Sequence, residues 1–437
     1  MTLDLLLKHG SLIVNGRVQL GSVGIIGNKI AGVYLTGNEP PARQSIDCTD
    51  CFVLPGMIDI HVHLRDLGEA NKEDYATGTM AAAAGGVTTV VDMPNSVPPV
   101  LDMSVLQEKI RLARLKRYVN IGFYAGVPKI PEDFEQDMVR DILGLKVYPH
   151  SPLSKGVQYT EERILACMRL ASQVGRPLLI HPDSSTPSDL VQDIDSYFRL
   201  HSCEGELNSV KRFVGALKEV GGHLHVCHVS CGMVAEYIME NRAEDSLTAE
   251  TTPHHLLLNS LSFPNSDGTA KMLPPLRSPY DNQVLLRVLC EKCALDCVAS
   301  DHAPHTPAEK SRPFLEAASG IPGLETTVPL LLTEVLLGRM SWLDYLRVCC
   351  SAPARILGLG TKGILAPGYD ADLVIVRRGE YVIRGQEFLS KAKVTPFEGR
   401  RVLAKPVITI VGGVVVYDGG DMMVGPGVAG TVPIRKH

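Results

Sequence analysis

The sequence contains no apolar run approaching the roughly 18 residues that a membrane-spanning helix requires, so no membrane association is expected. It also lacks an excess of basic charge. The formal net charge is −5 over 437 residues, which offers no positive field to a nucleic-acid backbone. The 11 cysteines are odd in number and scattered, with no spacing that reads as a disulfide framework. The adjacent Cys349 and Cys350 read as core residues of a helix. The stretch from Met1 to Gly10 is short and holds Asp4 and Lys8, which does not suit a secretory leader. Reduced thiols and a cytoplasmic location are therefore expected. There is no short internal repeat, low-complexity tract or long linker. These absences leave a small-molecule substrate as the expected partner, and any anion on it must be met by local cations.

With 45% hydrophobic residues the chain can bury a large core. The first fifty residues read as short strands: Leu3–Lys8, Gly10–Val14, Val18–Leu20, Gly24–Ile26 and Ile30–Tyr34. Asn15-Gly16 and Gly27-Asn28 supply hairpin turns. The same texture returns in Ala371–Val376, Val402–Leu403 and Val407–Val416, punctuated by Gly412-Gly413 and Gly419-Gly420. The two ends together suggest one small β-sandwich, from residues 1–54 and 361–437. Between them, residues 55–360 alternate apolar strands with helical stretches. Candidate strands are Met57–His61, Thr88–Met93, Val119–Gly126, Leu143–Tyr148, Leu178–His181, Leu224–His228, Leu247–Thr251 and Cys297–Ser300. Met103–Leu115, Glu161–Val174 and Leu207–Val220 read as helices between them. Eight such alternations predict an α/β fold, a (β/α)8 TIM-like barrel, whose chemistry sits at the C-terminal strand ends.

Metal-ligand residue types recur at those ends. His61 and His63 close the first strand, and residues i and i+2 share a strand face. His181 ends Pro-Leu-Leu-Ile-His, His228 ends His-Val-Cys-His, and Asp301 ends Cys-Val-Ala-Ser-Asp. Each follows an apolar run, where burial alone calls for another apolar residue. Four histidines and an aspartate at one barrel mouth suit zinc or a similar divalent ion. Lys146 lies inside the apolar strand Gly-Leu-Lys-Val-Tyr. Its neutral amine can react with carbon dioxide, and the resulting carbamate can bridge two cations; a lysine that snorkels outward or pairs with an acid is the other reading. Cys227 is expected on the strand face opposite His228, as a core residue. Glu250 reads as an extra ligand or as an acid behind the ligands. His254 and His255 are adjacent and neither is assigned as a ligand.

Six segments resemble the signatures of dihydroorotases, members of the amidohydrolase superfamily. They are His61–Asp66 (HVHLRD), Asp92–Asn95 (DMPN), Gly144–Tyr148 (GLKVY), Thr252–Leu256 (TPHHL), Ser300–His305 (SDHAPH) and Gly320–Thr326 (GIPGLET). The similarity continues to Gly363–Val376. The resemblance implies reversible closure of N-carbamoyl-L-aspartate to dihydroorotate in pyrimidine biosynthesis. It implies two divalent metal ions, zinc by expectation, bridged by carboxylated Lys146. His61 and His63 would hold one ion, shared with Asp301, and His181 and His228 the other. Asp301 would be the general acid and base for a hydroxide activated by the metals. Arg65 and Asn95 would hold the substrate carboxylate, and His305 would also contact substrate. A guanidinium beside a carboxamide suits that task. A homodimer and an association with aspartate transcarbamoylase are further expectations.

The related readings are an allantoinase, a hydantoinase or an inactive scaffold. Arg65 with Asn95 disfavours the first two, because it calls for a carboxylate on the substrate. One position departs from the family: Leu273 stands where many dihydroorotases carry a polar residue before Pro274-Pro275. Backbone groups or Arg277 would then contact the ring, or the substrate differs. Ser151–Gly156, just past Lys146, is a candidate covering loop and equally a plain connection.

Overall fold

The computed structural model describes residues 2–35, 37–185, 191–242, 246–264 and 267–433. Five strands lead: Leu3–Val14 (β1), Arg17–Ile26 (β2), Lys29–Tyr34 (β3), Ala42–Asp47 (β4) and Cys51–Pro55 (β5). Eight follow: Met57–Val62 (β6), Val87–Asp92 (β7), Asn120–Gly126 (β8), Gly144–Val147 (β9), Leu178–Ile180 (β10), Leu224–Val226 (β11), Leu247–Thr251 (β12) and Cys297–Val298 (β13). Leu373–Val382 (β14), Arg401–Val411 (β15), Val414–Asp418 (β16) and Asp421–Met422 (β17) complete the set.

Strands β6 to β13 pair in chain order, and every pair is parallel. All eight expected barrel strands are present. The ring nearly closes where His302, just past β13, bridges to Val62 and its carbonyl accepts the His63 N–H at 2.8 Å. The strands read as continuous apolar runs because helices cover the barrel outside while side chains fill it inside. Tyr124, Val91, Leu179 and Ala299 are buried in one such cluster. The helices begin where polar caps dictate. Asp102 accepts the Val105 N–H at the start of Met103–Lys116, Thr160 that of Arg163 before Glu161–Gln173, and Ser202 that of Gly205 before Cys203–Val220. Each cap is worth about 1 kcal/mol.

The terminal strands form one continuous sheet in the order β17-β16-β15-β14-β5-β1-β2-β3, with β4 paired to β1. Both ends of the chain meet where β14 runs antiparallel to β5. Leu5, Leu7, Val23, Ile25, Val53, Leu373, Ile375 and Ile410 share one apolar cluster within it. Gly413 shows why the hairpin between β15 and β16 needs glycine. Its φ is 80°, and a Cβ there would stand 2.1 Å from the Gly27 carbonyl oxygen. The expected Leu3–Lys8 and Gly10–Val14 are one strand with a register shift between them, and β4 and β5 went unread in the sequence.

No helix is long and apolar enough to cross a membrane among the described residues. One expectation about cysteine fails. Cys203 and Cys231 are joined in a disulfide with Cα atoms 5.7 Å apart. They are separated by 28 residues, one opening a helix and the other capping the next, so only packing brings them together. Cys48 and Cys51 have a CxxC spacing that sequence reading passed over; both are buried free thiols in the terminal sheet. Cys349 and Cys350 are buried, as expected, within a π-helical turn.

Candidate metal centre and substrate pocket

A cavity of about 510 Å³ opens at the C-terminal ends of the barrel strands. His61, His63, Asn95, His181, His228 and Asp301 all line it, with Arg65 and His305. His61 and His63 project inward from the end of β6. Their Nε2 atoms converge on one oxygen, Asp301 Oδ1, at 3.4 and 3.2 Å. Burial alone would push the Asp301 carboxyl up, but His61 and His63 beside it hold it down at about 2. Donor atoms of these three residues lie within 4.8 Å of one another.

The opposite nitrogens of the two rings are also engaged. Glu250, fully buried on β12, accepts from His61 Nδ1 at 2.5 Å and meets His225 Nε2 at 3.2 Å. Burial raises the Glu250 carboxyl, yet the two histidines bring it well below the usual carboxylate range. His63 Nδ1 bonds Asn95 Oδ1 at 2.8 Å. Both rings are thereby held in the tautomer that turns Nε2 to the cavity, as a carboxylate or carbonyl behind a metal-binding imidazole does. Of the two readings of Glu250, the acid behind the ligand is the one its position fits.

Lys146 points inward from β9 and is fully buried. Outward snorkelling is thus excluded. Its Nζ lies 2.8 Å from Cys227 Sγ and 5.1 Å from the Tyr148 ring centroid, with no ion pair among the described residues. That contact corrects the expectation for Cys227, which faces the barrel interior rather than the opposite side. His228 next to it faces inward too, because strand β11 ends at Val226 and His228 has a φ of 35°. The left-handed turn breaks the alternation and swings the second side chain into the mouth. Asp301 and Arg65 are also left-handed, at φ 46° and 59°. Such conformations cost about 1–3 kcal/mol each and persist where packing enforces them. The His228 ring stands 4.4 Å from that of His181 and 5.2 Å from that of His61. His181 Nε2 and His228 Nδ1 are buried without a hydrogen-bond partner. Orphaned ring nitrogens at this depth are rare unless something binds them.

On the rim, Arg65 Nη2 lies 3.4 Å from His305 Nε2. His305 also meets the Ser319 carbonyl at 3.0 Å. Burial, then the neighbouring Arg65 and Lys72 charges, push the His305 imidazole down to about 3, so it is neutral near pH 7. Glu69, which sequence reading missed, lines the same rim and pairs with Arg65 at 3.4 Å and Lys72 at 2.7 Å. Leu273 lines the cavity as well. Arg277 does not reach it. Its guanidinium is bound by Glu206 at 3.1 Å, Ser230 Oγ at 2.9 Å and the His201 carbonyl at 2.6 Å. Arg277 is therefore no substitute for the polar group missing at Leu273. His254 and His255 sit on the short helix Pro253–Leu257, and His255 is tied to Thr252 and the Pro274 carbonyl.

Sequence reading also missed a second group beside the site. The His150 ring packs tilted against that of His181 with centroids 4.1 Å apart, and Asp183 holds His201 Nδ1 at 2.6 Å. No periodicity marks these residues, since all lie in loops past β9 and β10 or at a helix end. Their nearness to the strands that bear the candidate ligands is the only signal that could have found them.

Residues 52–416 match the model of the amidohydrolase family. The chain belongs to the amidohydrolase family. Amidohydrolases generally use a binuclear metal centre, which the donor clusters at the mouth suit. Among curated relatives, a dihydroorotase of Methanothermobacter thermautotrophicus is 35% identical over 93% of this chain and 93% of its own. One of Halobacterium salinarum is 35% identical over 94% of this chain and 96% of its own. One of Lactobacillus gasseri is 33% identical over 95% and 99%. Among solved structures, an L-hydantoinase (dihydropyrimidinase) of Arthrobacter aurescens superposes with a TM-score of 0.91 at 26% identity, covering 99% of this amidohydrolase and 100% of that chain.

Proposed function

We propose that this amidohydrolase is a dihydroorotase, which reversibly closes N-carbamoyl-L-aspartate to (S)-dihydroorotate and water. The observation that carries the reading is the pairing of Arg65 with His305 on the rim of a cavity lined by His61, His63, His181, His228 and Asp301. A cation clamp beside a set of metal donors suits a ring amide that bears a carboxylate. The relatives named dihydroorotase support the same choice.

The residues present fit two cations. His61, His63 and Asp301 would hold one, His181 and His228 the other, and Lys146 as its carbamate would bridge them. A carbamate explains a lysine that is fully buried with no ion pair among the described residues, because an uncompensated ammonium there is costly. When bound, two divalent ions, zinc by expectation, activate water and polarise the amide carbonyl. Arg65 then holds the carboxylate by charge-assisted bonds, with neutral His305 as a hydrogen-bond partner. Asn95 keeps His63 oriented through its carbonyl oxygen, which leaves its N–H groups for the substrate. Asp301, at the meeting point of the two Nε2 atoms, exchanges a proton with the ring nitrogen as the amide opens or closes. The same reading divides the chain into residues 1–54, 55–360 and 361–437, and includes a cytoplasmic homodimer able to associate with aspartate transcarbamoylase.

The test is hydrolysis of dihydroorotate, followed by loss of the ring amide's ultraviolet absorbance, with allantoin and hydantoin in parallel. Turnover of dihydroorotate alone is expected. Turnover of hydantoin instead would favour the second reading, for which the apolar Leu273 on the cavity wall and the hydantoinase likeness speak. Arg65→Ala is expected to lower kcat/KM for dihydroorotate about 10–100-fold, mostly through KM, the size of a hydrogen bond to a charged group. An unchanged KM would remove Arg65 from the clamp. Glu250→Gln is expected to weaken metal retention about 10–100-fold, read as metal per chain across a chelator series. Retention equal to the parent would show that Glu250 does not support His61.

A further inference from the structure

His150, His181 and Asp183 each offer a donor atom, and the three atoms lie within 4.8 Å of one another. They form a group beside the binuclear set, sharing only His181 with it. Two features separate this group from the other donors in the barrel. The first is vacant bonding capacity. His150 Nδ1 and His181 Nε2 are both buried with no hydrogen-bond partner, and no hydrogen bond to protein holds the His150 ring among the described residues. By contrast His61, Cys227 and Glu250, also within 4.8 Å of each other, are already engaged: His61 with Glu250, and Cys227 with Lys146. The second is support from behind. Asp183 Oδ2 takes His201 Nδ1 at 2.6 Å and Oδ1 takes the Ser185 N–H at 2.8 Å. Such outer bonds fix a carboxylate that ligates a metal.

We infer that His150, His181 and Asp183 form a third divalent-metal site, of the zinc class, on the wall of the substrate cavity. Two imidazoles and a carboxylate make a three-ligand set that leaves one position of a tetrahedral ion open. Ligand atoms around zinc stand about 3.3–3.5 Å apart at bond lengths near 2.0–2.1 Å. The donor atoms already lie within 4.8 Å of one another, so a small side-chain adjustment brings them to that spacing. To serve both sets His181 would ligate as an imidazolate, its Nε2 turned to this site and its other ring nitrogen to the binuclear centre, with the ring N–H proton released to solvent as the second ion binds. His150 and His181 both line the cavity, which sets the group at its wall with Asp183 behind them. A Lewis acid there would supply the polar contact that Leu273 does not.

The inference rests on His181 being a metal ligand, so its test must distinguish the two claims. The full-length protein is stripped with chelator, reloaded by dialysis against micromolar zinc, desalted and measured for metal per chain. About three ions are expected in the parent, against about two in His150→Asn and in Asp183→Asn. Reloading the same proteins with cobalt gives a second readout. The parent should show extra tetrahedral d–d absorption that both variants lack. About two ions in the parent, or about three in both parent and variants, overturns the third site and leaves the binuclear reading intact. No metal in the parent overturns both. About two ions in the parent overturns the site even where a variant fails to fold, and His150→Gln, closer in shape to histidine, then serves as the second variant: about three ions retained in it overturns the site as well.

Discussion

Lys146→Ala is expected to strip the barrel mouth of metal and to lower turnover of dihydroorotate by at least about a thousandfold, the scale of losing a metal-activated nucleophile. The reasoning starts from burial. Lys146 has no exposed surface, and its nearest polar neighbour is the Cys227 sulfur at 2.8 Å. A lysine kept only for packing could be replaced by methionine at little cost to function. A carbamate bridge has no such substitute, because both of its oxygens act as ligands. Metal per chain in purified Lys146→Ala should therefore fall below that of the parent. Short carboxylic acids added at high concentration should restore part of the turnover by taking the bridging position. The parent should show a mass increase of one carbon dioxide at Lys146 under native conditions. Full metal content and turnover in Lys146→Ala would show that Lys146 bridges nothing.

Asp301→Asn is expected to lower kcat by about 10²–10⁴-fold, the range for removing a positioned general acid or base, with a smaller change in KM. The amide keeps the shape and one metal-ligating oxygen but cannot accept a proton. The KM against kcat split separates this role from substrate binding, where Arg65→Ala should act. Metal content in Asp301→Asn should stay nearer the parent than in Lys146→Ala, because His61 and His63 remain in place with their outer partners Glu250 and Asn95. Equal loss of metal in both variants would make Asp301 a ligand only. Retained turnover in Asp301→Asn would move the proton transfer to another group, and His305 would be examined first for its place on the rim.

The barrel was legible in the order of residues because its signal is local. Each strand is a short apolar run, and the helices between them carry their own caps and amphipathic spacing. The candidate ligand types stood out for the same reason. A histidine or aspartate closing an apolar run contradicts burial, and the contradiction is visible without neighbours. Direction was not legible. Strict alternation puts Cys227 and His228 on opposite faces, and only the left-handed turn at His228 brings both inward. Partnership was not legible either. Glu250 meets His61 across 189 residues, and Arg277 is committed to Glu206 across 71, because the barrel closes and loops pack over its mouth. The pairing of Cys203 with Cys231 and the gathering of His150, His181 and Asp183 arise in the same way. Composition and period set which elements form, since those depend on a few adjacent residues. Which side chains share a site depends on where distant strand ends and loops come to rest, and packing alone sets that.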